Sequence, residues 1–264
     1  MLETTNARTG GLARGLRTLL LVSALATAAP AIAAEPTAAP AAGAYQPKGG
    51  LVLQLGDFEV LALIDREGAY APNLAQSKQT PAQWERARHL MTPDGKMRAP
   101  LGGYLIRSKA NNRLVLVDLG LGPYSTPGLP AGDHNMLQEL TALGYKPSDI
   151  TDIVLTHLHL DHIGWASVDG KSTFPNAKYH LPQSEWDYWI AKPEGNSHSK
   201  AVLDITQAVM KPVAPQLQAF SGESETLFPG FKIRHAPGHT PGTVIVELDS
   251  GGRKALILGD TAHS

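Results

Sequence analysis

Thr156-His157-Leu158-His159-Leu160-Asp161-His162-Ile163-Gly164 decides how the rest of this sequence is read. It follows Ile153-Val154-Leu155, an apolar run with the character of a buried strand. In extended backbone, residues two apart point to the same side. His157 and His159 therefore leave the strand end together. Asp161 and His162 then enter a turn into a helix, which aims them at a neighbouring point. One short segment thus offers donors for two adjacent metal ions. Imidazole nitrogen and carboxylate oxygen suit zinc and similar first-row ions. A histidine-rich surface turn would account for one or two of these side chains, not for all four at a strand end.

The chain has 264 residues, 42% of them apolar, enough for one large domain or two small ones with a sizeable core. Its formal net charge of -1, without a long single-sign run, leaves no electrostatic footprint for nucleic acid or an acidic membrane. It has no cysteine. Disulfides and thiolate ligands are excluded, so a metal site must be built from His, Asp and Glu.

The first residues read as a leader. Arg8, Arg14 and Arg17 precede the short apolar core Leu19 to Ala26, and Ala31-Ile32-Ala33 supplies a small-residue cleavage site. This is the pattern of a secretory signal peptide over residues 1–34. Its apolar run is shorter than the ~20 residues a membrane span needs. Residues 35–48 are Ala/Pro/Gly-rich, as in a flexible linker, and 49–264 are left for the folded domain. The expectation is an exported, periplasmic protein with no stable membrane anchor after signal cleavage.

Working outward from the motif, Leu51 to Leu55 and Phe58 to Ile64 read as a hairpin around Gly56-Asp57. A short helix is expected around Ala82 to Leu90. Gly103 to Ile106 and Leu114 to Asp118 read as strands around an Asn111-Asn112 turn, and Asn135 to Leu143 as a helix closed by Gly144. Asp118, at a strand end, is either a turn residue or a group that orients a metal-bound histidine. Downstream, Ala177 to Leu181 reads as a strand, Pro182 to Ile190 as a helix carrying Trp186 and Trp189, and Asp204 to Met210 as a further helix. Phe231 to Arg234, Thr243 to Leu248 and Ala255 to Leu258 complete the strands, the last two joined at Gly251-Gly252.

Two more donors stand out. His239 sits in the Gly/Pro-rich loop Gly238-His239-Thr240-Pro241-Gly242, and Asp260 follows an apolar strand and a glycine. Alone, a loop histidine or a strand-end aspartate is usually structural. Together with the first motif they form a set.

Thr156-His157-x-His159-x-Asp161-His162, Gly238-His239-Thr240-Pro241-Gly242 and Leu258-Gly259-Asp260 resemble the metallo-β-lactamase superfamily. Leu55-Gly56-Asp57-Phe58-Glu59, Phe174-Pro175-Asn176-Ala177, Phe220-Ser221-Gly222 and Leu227-Phe228-Pro229-Gly230 are similar to its exported branch of methyl parathion hydrolase, lactonases and aryl esterases. The resemblance implies an α/β (α+β) fold, an αββα sandwich of two mixed sheets with helices outside and metals at one edge. It implies that His157, His159 and His239 hold one divalent ion, that Asp161 and His162 hold a second, and that Asp260 bridges both. Zinc is the expected metal, with Mn, Co and Fe suited to the same donors. Two such ions lower the pKa of a bridging water to roughly 7. The reaction the resemblance implies is hydrolysis of an ester, lactone or organophosphate triester, with Asp161 or Asp260 as the group that would pass the proton on.

The family pattern also has a histidine well after the aspartate, completing the second site. Here the chain ends four residues past Asp260, and His263 is the only histidine after it. The expectation is a domain truncated in its C-terminal part. A cysteine-ligand β-lactamase is excluded by composition, and the nuclease branches find no basic patch. The partner expected is a small-molecule substrate, and a homodimer fits the family. The alternatives are a non-catalytic or degenerate exported metal-binding protein with an incomplete second site, or a thioesterase of the glyoxalase II type.

Overall fold

In the computed structural model, the residues described are 51–70, 80–86, 88–98, 100–125 and 135–262. The expected leader at 1–34, the linker at 35–48 and His263 lie outside them. The apolar runs become strands of two sheets. Across the seven-stranded sheet the order is Val52–Leu55, Phe58–Arg66, Leu101–Ser108, Arg113–Val117, Asp152–Val154, Lys178–Pro182 and Leu217–Phe220. The first four pair antiparallel, and the last four pair parallel. The hairpin at Gly56-Asp57 and the turn at Asn111-Asn112 form where the sequence places them. The parallel connections need longer crossovers. The helices Met136–Ala142 and Lys200–Met210 lie in two of these.

The second sheet has Ser224–Phe228, Phe231–His235, Val244–Ser250 and Arg253–Ile257 in sequence order. Its pairs are all antiparallel, where the resemblance implied a mixed sheet. The described strands follow one another directly, so short turns such as Pro229-Gly230 and Gly251-Gly252 suffice.

Strand alternation builds a core on each face of the large sheet. Leu105, Leu116 and Ile153 face one side, with Met136 and Leu140 of one helix and Val209 and Met210 of another. Their chain neighbours Ile106, Val115 and Val154 face the other side, against Phe231, Ile233, Val246 and Leu248 of the second sheet. Asp152–Val154 is buried throughout, which is why the run Ile153-Val154-Leu155 that continues it is apolar without alternation. Each large aliphatic side chain so buried contributes about 1.5–3 kcal/mol of transfer free energy.

Some elements differ from expectation. The expected helix at Pro182 to Ile190 is one α-turn, Gln183–Trp186, followed by a π-helical turn, Asp187–Ala191. The last helix begins at Lys200 rather than Asp204, because Ser199 caps it by accepting the Val202 N–H. Leu217–Phe220 and Ser224–Phe228 were not read as strands. Leu217–Phe220 is half-exposed without clean alternation, and Ser224–Phe228 opens on three polar residues although its burial alternates. Among the described residues, no helix is long and apolar enough to cross a membrane.

Candidate metal centre

The strand Asp152–Val154 ends beneath the site, and Thr156, His157 and Leu158 beyond it are fully buried. His159 is extended (φ -68°, ψ 151°) and stands at the start of the single helical turn Leu160–Ile163. His157 and His159 meet as the alternation required: Nε2 of His157 is 2.9 Å from Nδ1 of His159. His239 arrives from a loop 80 residues away, its Nε2 also 2.9 Å from Nδ1 of His159. One imidazole nitrogen has a single in-plane proton or lone pair. It cannot serve two such partners as a hydrogen bond, whereas three nitrogens converging on one point are what a tetrahedral metal requires.

A second group shares this one's edge. Nε2 of His162 is 3.4 Å from Oδ1 of Asp260, while Oδ2 of Asp260 is 3.4 Å from Nε2 of His239 and 3.9 Å from Nε2 of His157. Asp260 therefore turns one oxygen toward each cluster. Two triads have donor atoms within 4.8 Å of one another: His157, His159 and His239, and His157, His162 and Asp260. Asp161 lies beside the second triad, its Oδ2 3.8 Å from Nε2 of His162.

Backbone contacts explain this convergence. The Val244 N–H donates to the Thr156 carbonyl at 2.9 Å, joining the strand after His239 to the motif loop. Gly259 has φ +50°, and a Cβ there would sit 2.7 Å from Thr156 Oγ1. A glycine is needed for the chain to pass close enough to present Asp260.

The surrounding groups also set the ring tautomers. Asp118 accepts the Thr156 backbone N–H at 2.7 Å and its hydroxyl at 2.8 Å. With its proton given to Asp118, Thr156 Oγ1 is an acceptor for Nδ1 of His157, 3.2 Å away. That leaves the His157 lone pair on Nε2, in the site. Oδ2 of Asp118 lies 2.9 Å from Nδ1 of His162, which likewise turns Nε2 of His162 inward. Of the two readings of Asp118, the structure supports the orienting group. It adopts φ +62° to do so, a left-handed conformation uncommon for a residue with a side chain.

Burial, reinforced by the neighbouring histidines, pushes His157 well below the ordinary imidazole range. Burial and then His239 take His159 down to about 4, against the opposing pull of Asp161. Both rings are neutral at pH 7, with lone pairs to offer. Burial also disfavours charge on His162, but Asp118, Asp260 and Asp161 overcome it and hold that ring well above the usual range. The carboxylates that favour a proton on Nε2 of His162 equally favour a divalent cation in its place, to which Nε2 gives its lone pair as the proton leaves.

Sequence reading missed the group that joins the two loops. Glu185 is fully buried and accepts the Leu158 N–H at 2.9 Å, the Trp189 indole N–H at 2.8 Å, the Thr240 hydroxyl at 2.8 Å and the Gly242 N–H at 2.8 Å. Burial raises its pKa, opposed by these donors. A lone glutamate in a helix carries no sequence signal for such a role. Near the motif, Phe174 is buried core and Trp165 is half-buried, donating its indole N–H to Asp65 at 2.8 Å. Trp189, also in the core, meets the His159 ring nearly at right angles, with centroids 5.4 Å apart.

Residues 103–264, more than half of the chain, match the family described as the metallo-beta-lactamase superfamily. The chain belongs to that superfamily. Among superfamily relatives, an N-acyl homoserine lactonase of Bacillus sp is 26% identical over 187 residues, covering 64% of this chain and 66% of its own length. The chain thus spans just under two thirds of that curated relative. Of solved structures, the dizinc quorum-quenching lactonase AidC in complex with a product, N-hexanoyl-L-homoserine, is similar with a TM-score of 0.67 and 26% identity. The match covers 81% of this chain and 74% of AidC. The hydrolase AbOPH of the beta lactamase superfamily is similar with a TM-score of 0.65 and 26% identity, over 80% and 74% of the two chains. These likenesses fit the two-sheet architecture and the binding of a divalent metal.

Proposed function

We propose that this protein is a binuclear metal-dependent hydrolase of small-molecule esters, with lactones as the first substrate class and aryl esters and organophosphate triesters behind them. The observation that carries this reading is Asp260, with one carboxylate oxygen toward His157 and His239 and the other toward His162. A carboxylate so placed serves two cations at once. His157, His159 and His239 would hold one ion, and Asp161 and His162 the other, with Asp260 shared. The fixed tautomers, with lone pairs turned inward, fit zinc and also Mn, Co or Fe. Divalent ions there supply Lewis acidity and a water of lowered pKa.

The chain's own residues have separable tasks. His157, buried, and His159, half-buried, are both neutral and keep their donor atoms available. Asp161 and Asp260 are the carboxylates within reach of the reacting point and can accept a proton there. His239 is exposed and Asp260 partly so, which leaves a small substrate access. The lactone preference rests on the names of the similar proteins, and the exported location on the leader at 1–34.

The test is metal content per chain by elemental analysis, with hydrolysis of an N-acyl homoserine lactone, a p-nitrophenyl ester and methyl parathion on the same sample. Two ions per chain with lactone turnover are expected. One ion or none, without turnover of any of the three, overturns the reading.

A further inference from the structure

His198 belongs to no motif, yet it touches the site. It follows the π-helical turn Asp187–Ala191, and its ring packs on Trp189 with centroids 4.4 Å apart. Its Nε2 lies 3.2 Å from Nε2 of His159, and its Nδ1 lies 2.9 Å from Oδ1 of Asn196. Ring nitrogens do not by themselves reveal which carries the proton. The amide of Asn196 does. Its Nδ2 donates to the Tyr188 carbonyl at 2.9 Å, and its Oδ1 accepts the His198 backbone N–H at 2.9 Å. Rotating the amide would set oxygen against a carbonyl and an NH2 group against an N–H, losing both bonds.

The rest follows in sequence. Oδ1 of Asn196 is an acceptor, so Nδ1 of His198 carries a proton. In neutral His198 the lone pair is then on Nε2, directed at His159. Nε2 of His159 supplies the proton for that contact, at the long end of hydrogen-bond distance. His159 is left with its lone pair on Nδ1, the atom 2.9 Å from both His157 Nε2 and His239 Nε2.

We propose that His198, held by Asn196, is a positioning residue that selects the His159 tautomer in which Nδ1 is free to bind a divalent cation. Metal-bound histidines commonly give their other N–H to a carboxylate, carbonyl or water. Here an imidazole of fixed tautomer takes that place. The proposal rests on the reading of His157, His159 and His239 as ligands of one ion.

The experiment compares the zinc dissociation constants of the full parent chain, His198→Phe and His198→Gln by competition with a chelating dye. Phe keeps a ring against Trp189 and removes the acceptor. Gln loses the ring but offers Oε1 to the His159 N–H. The relay predicts zinc binding about 10–100-fold weaker in H198F and restored to near the parent value in H198Q. A packing role predicts the reverse order, and that order, or parent-like binding by H198F, overturns the proposal. Imidazole 15N NMR of the metal-free chain gives an independent reading. The proton of His159 is expected on Nε2 in the parent and redistributed in H198F. A proton on Nδ1 in the parent overturns the relay. A parent that shows the Nε2 proton but binds none of zinc, manganese, cobalt or iron supports the tautomer relay and counts against the reading of His157, His159 and His239 as ligands.

Discussion

Oδ2 of Asp118 lies 2.9 Å from Nδ1 of His162, a residue 44 positions further along the chain. The same carboxylate holds the backbone and hydroxyl of Thr156. One side chain thus fixes both ends of the His157–His162 segment. Removing it orphans two buried donors and frees the His162 ring. Asp118→Ala is expected to weaken binding of the second metal ion about 10–100-fold and to destabilise the fold by about 1–3 kcal/mol. Metal per chain after dialysis against a fixed zinc concentration, with a urea midpoint, checks both. Two ions retained at parent affinity would show that Asp118 is only a turn residue.

Glu185 is expected to be the more damaging loss for the fold. Its four donors come from three segments, so a glutamine there must turn an NH2 group toward at least one N–H. Each bond to a charged acceptor contributes about 1.5–3 kcal/mol. Glu185→Gln should therefore lower the urea midpoint more than Asp118→Ala does, and weaken the site formed by His159 and His239. An unchanged midpoint would mean that the two loops are held by other contacts.

Asp152 gives the fold a defined acid sensitivity. Burial alone would raise its carboxyl pKa, but His180 at 3.0 Å, Thr151 and Arg113 at 2.8 Å prevail and hold it below the usual value. A carboxyl depressed on folding contributes stability above its unfolded pKa and loses that contribution as pH falls through its folded pKa. Asp152→Asn should cost about 1–3 kcal/mol at pH 7, and the gap to the parent should narrow as pH falls below about 4. Chemical denaturation of both proteins at pH 7 and pH 3 decides this. A gap that widens toward acid contradicts the assignment.

Metal removal should cost stability without changing the fold. An ion held only by the native arrangement of His157, His159 and His239 stabilises by about 2.7 kcal/mol when free metal is 100 times its dissociation constant. For a domain of this size that corresponds to a fall in Tm of roughly 5–10 °C on chelation. Calorimetry with and without chelator measures it, and zinc should restore the original value. A chelated sample that melts at the same temperature would show that no ion was bound.

Much of the site was legible in the sequence because its central part is local. His157, His159, Asp161 and His162 are arranged by a strand end and one turn of helix, whose periodicities act over two to four residues. The strands of the hairpin at Gly56-Asp57 and of the Asp152–Val154 region were readable for the same reason. Leu217–Phe220 and Ser224–Phe228 were not, since half-exposed strands at a sheet edge carry a weak pattern.

Composition and local pattern are enough to establish the donor chemistry: no thiolate, a clustered His/Asp motif, and two further donors each beside a glycine. Which distant groups orient those donors depends on long-range packing. Asp118 on His162, Glu185 on Leu158 and Gly242, and Asn196 behind His198 are choices among many similar polar side chains. They are settled by how the two sheets and the helices pack. A hydrogen bond depends on distances of a few tenths of an ångström and on direction, and neither is written in local periodicity.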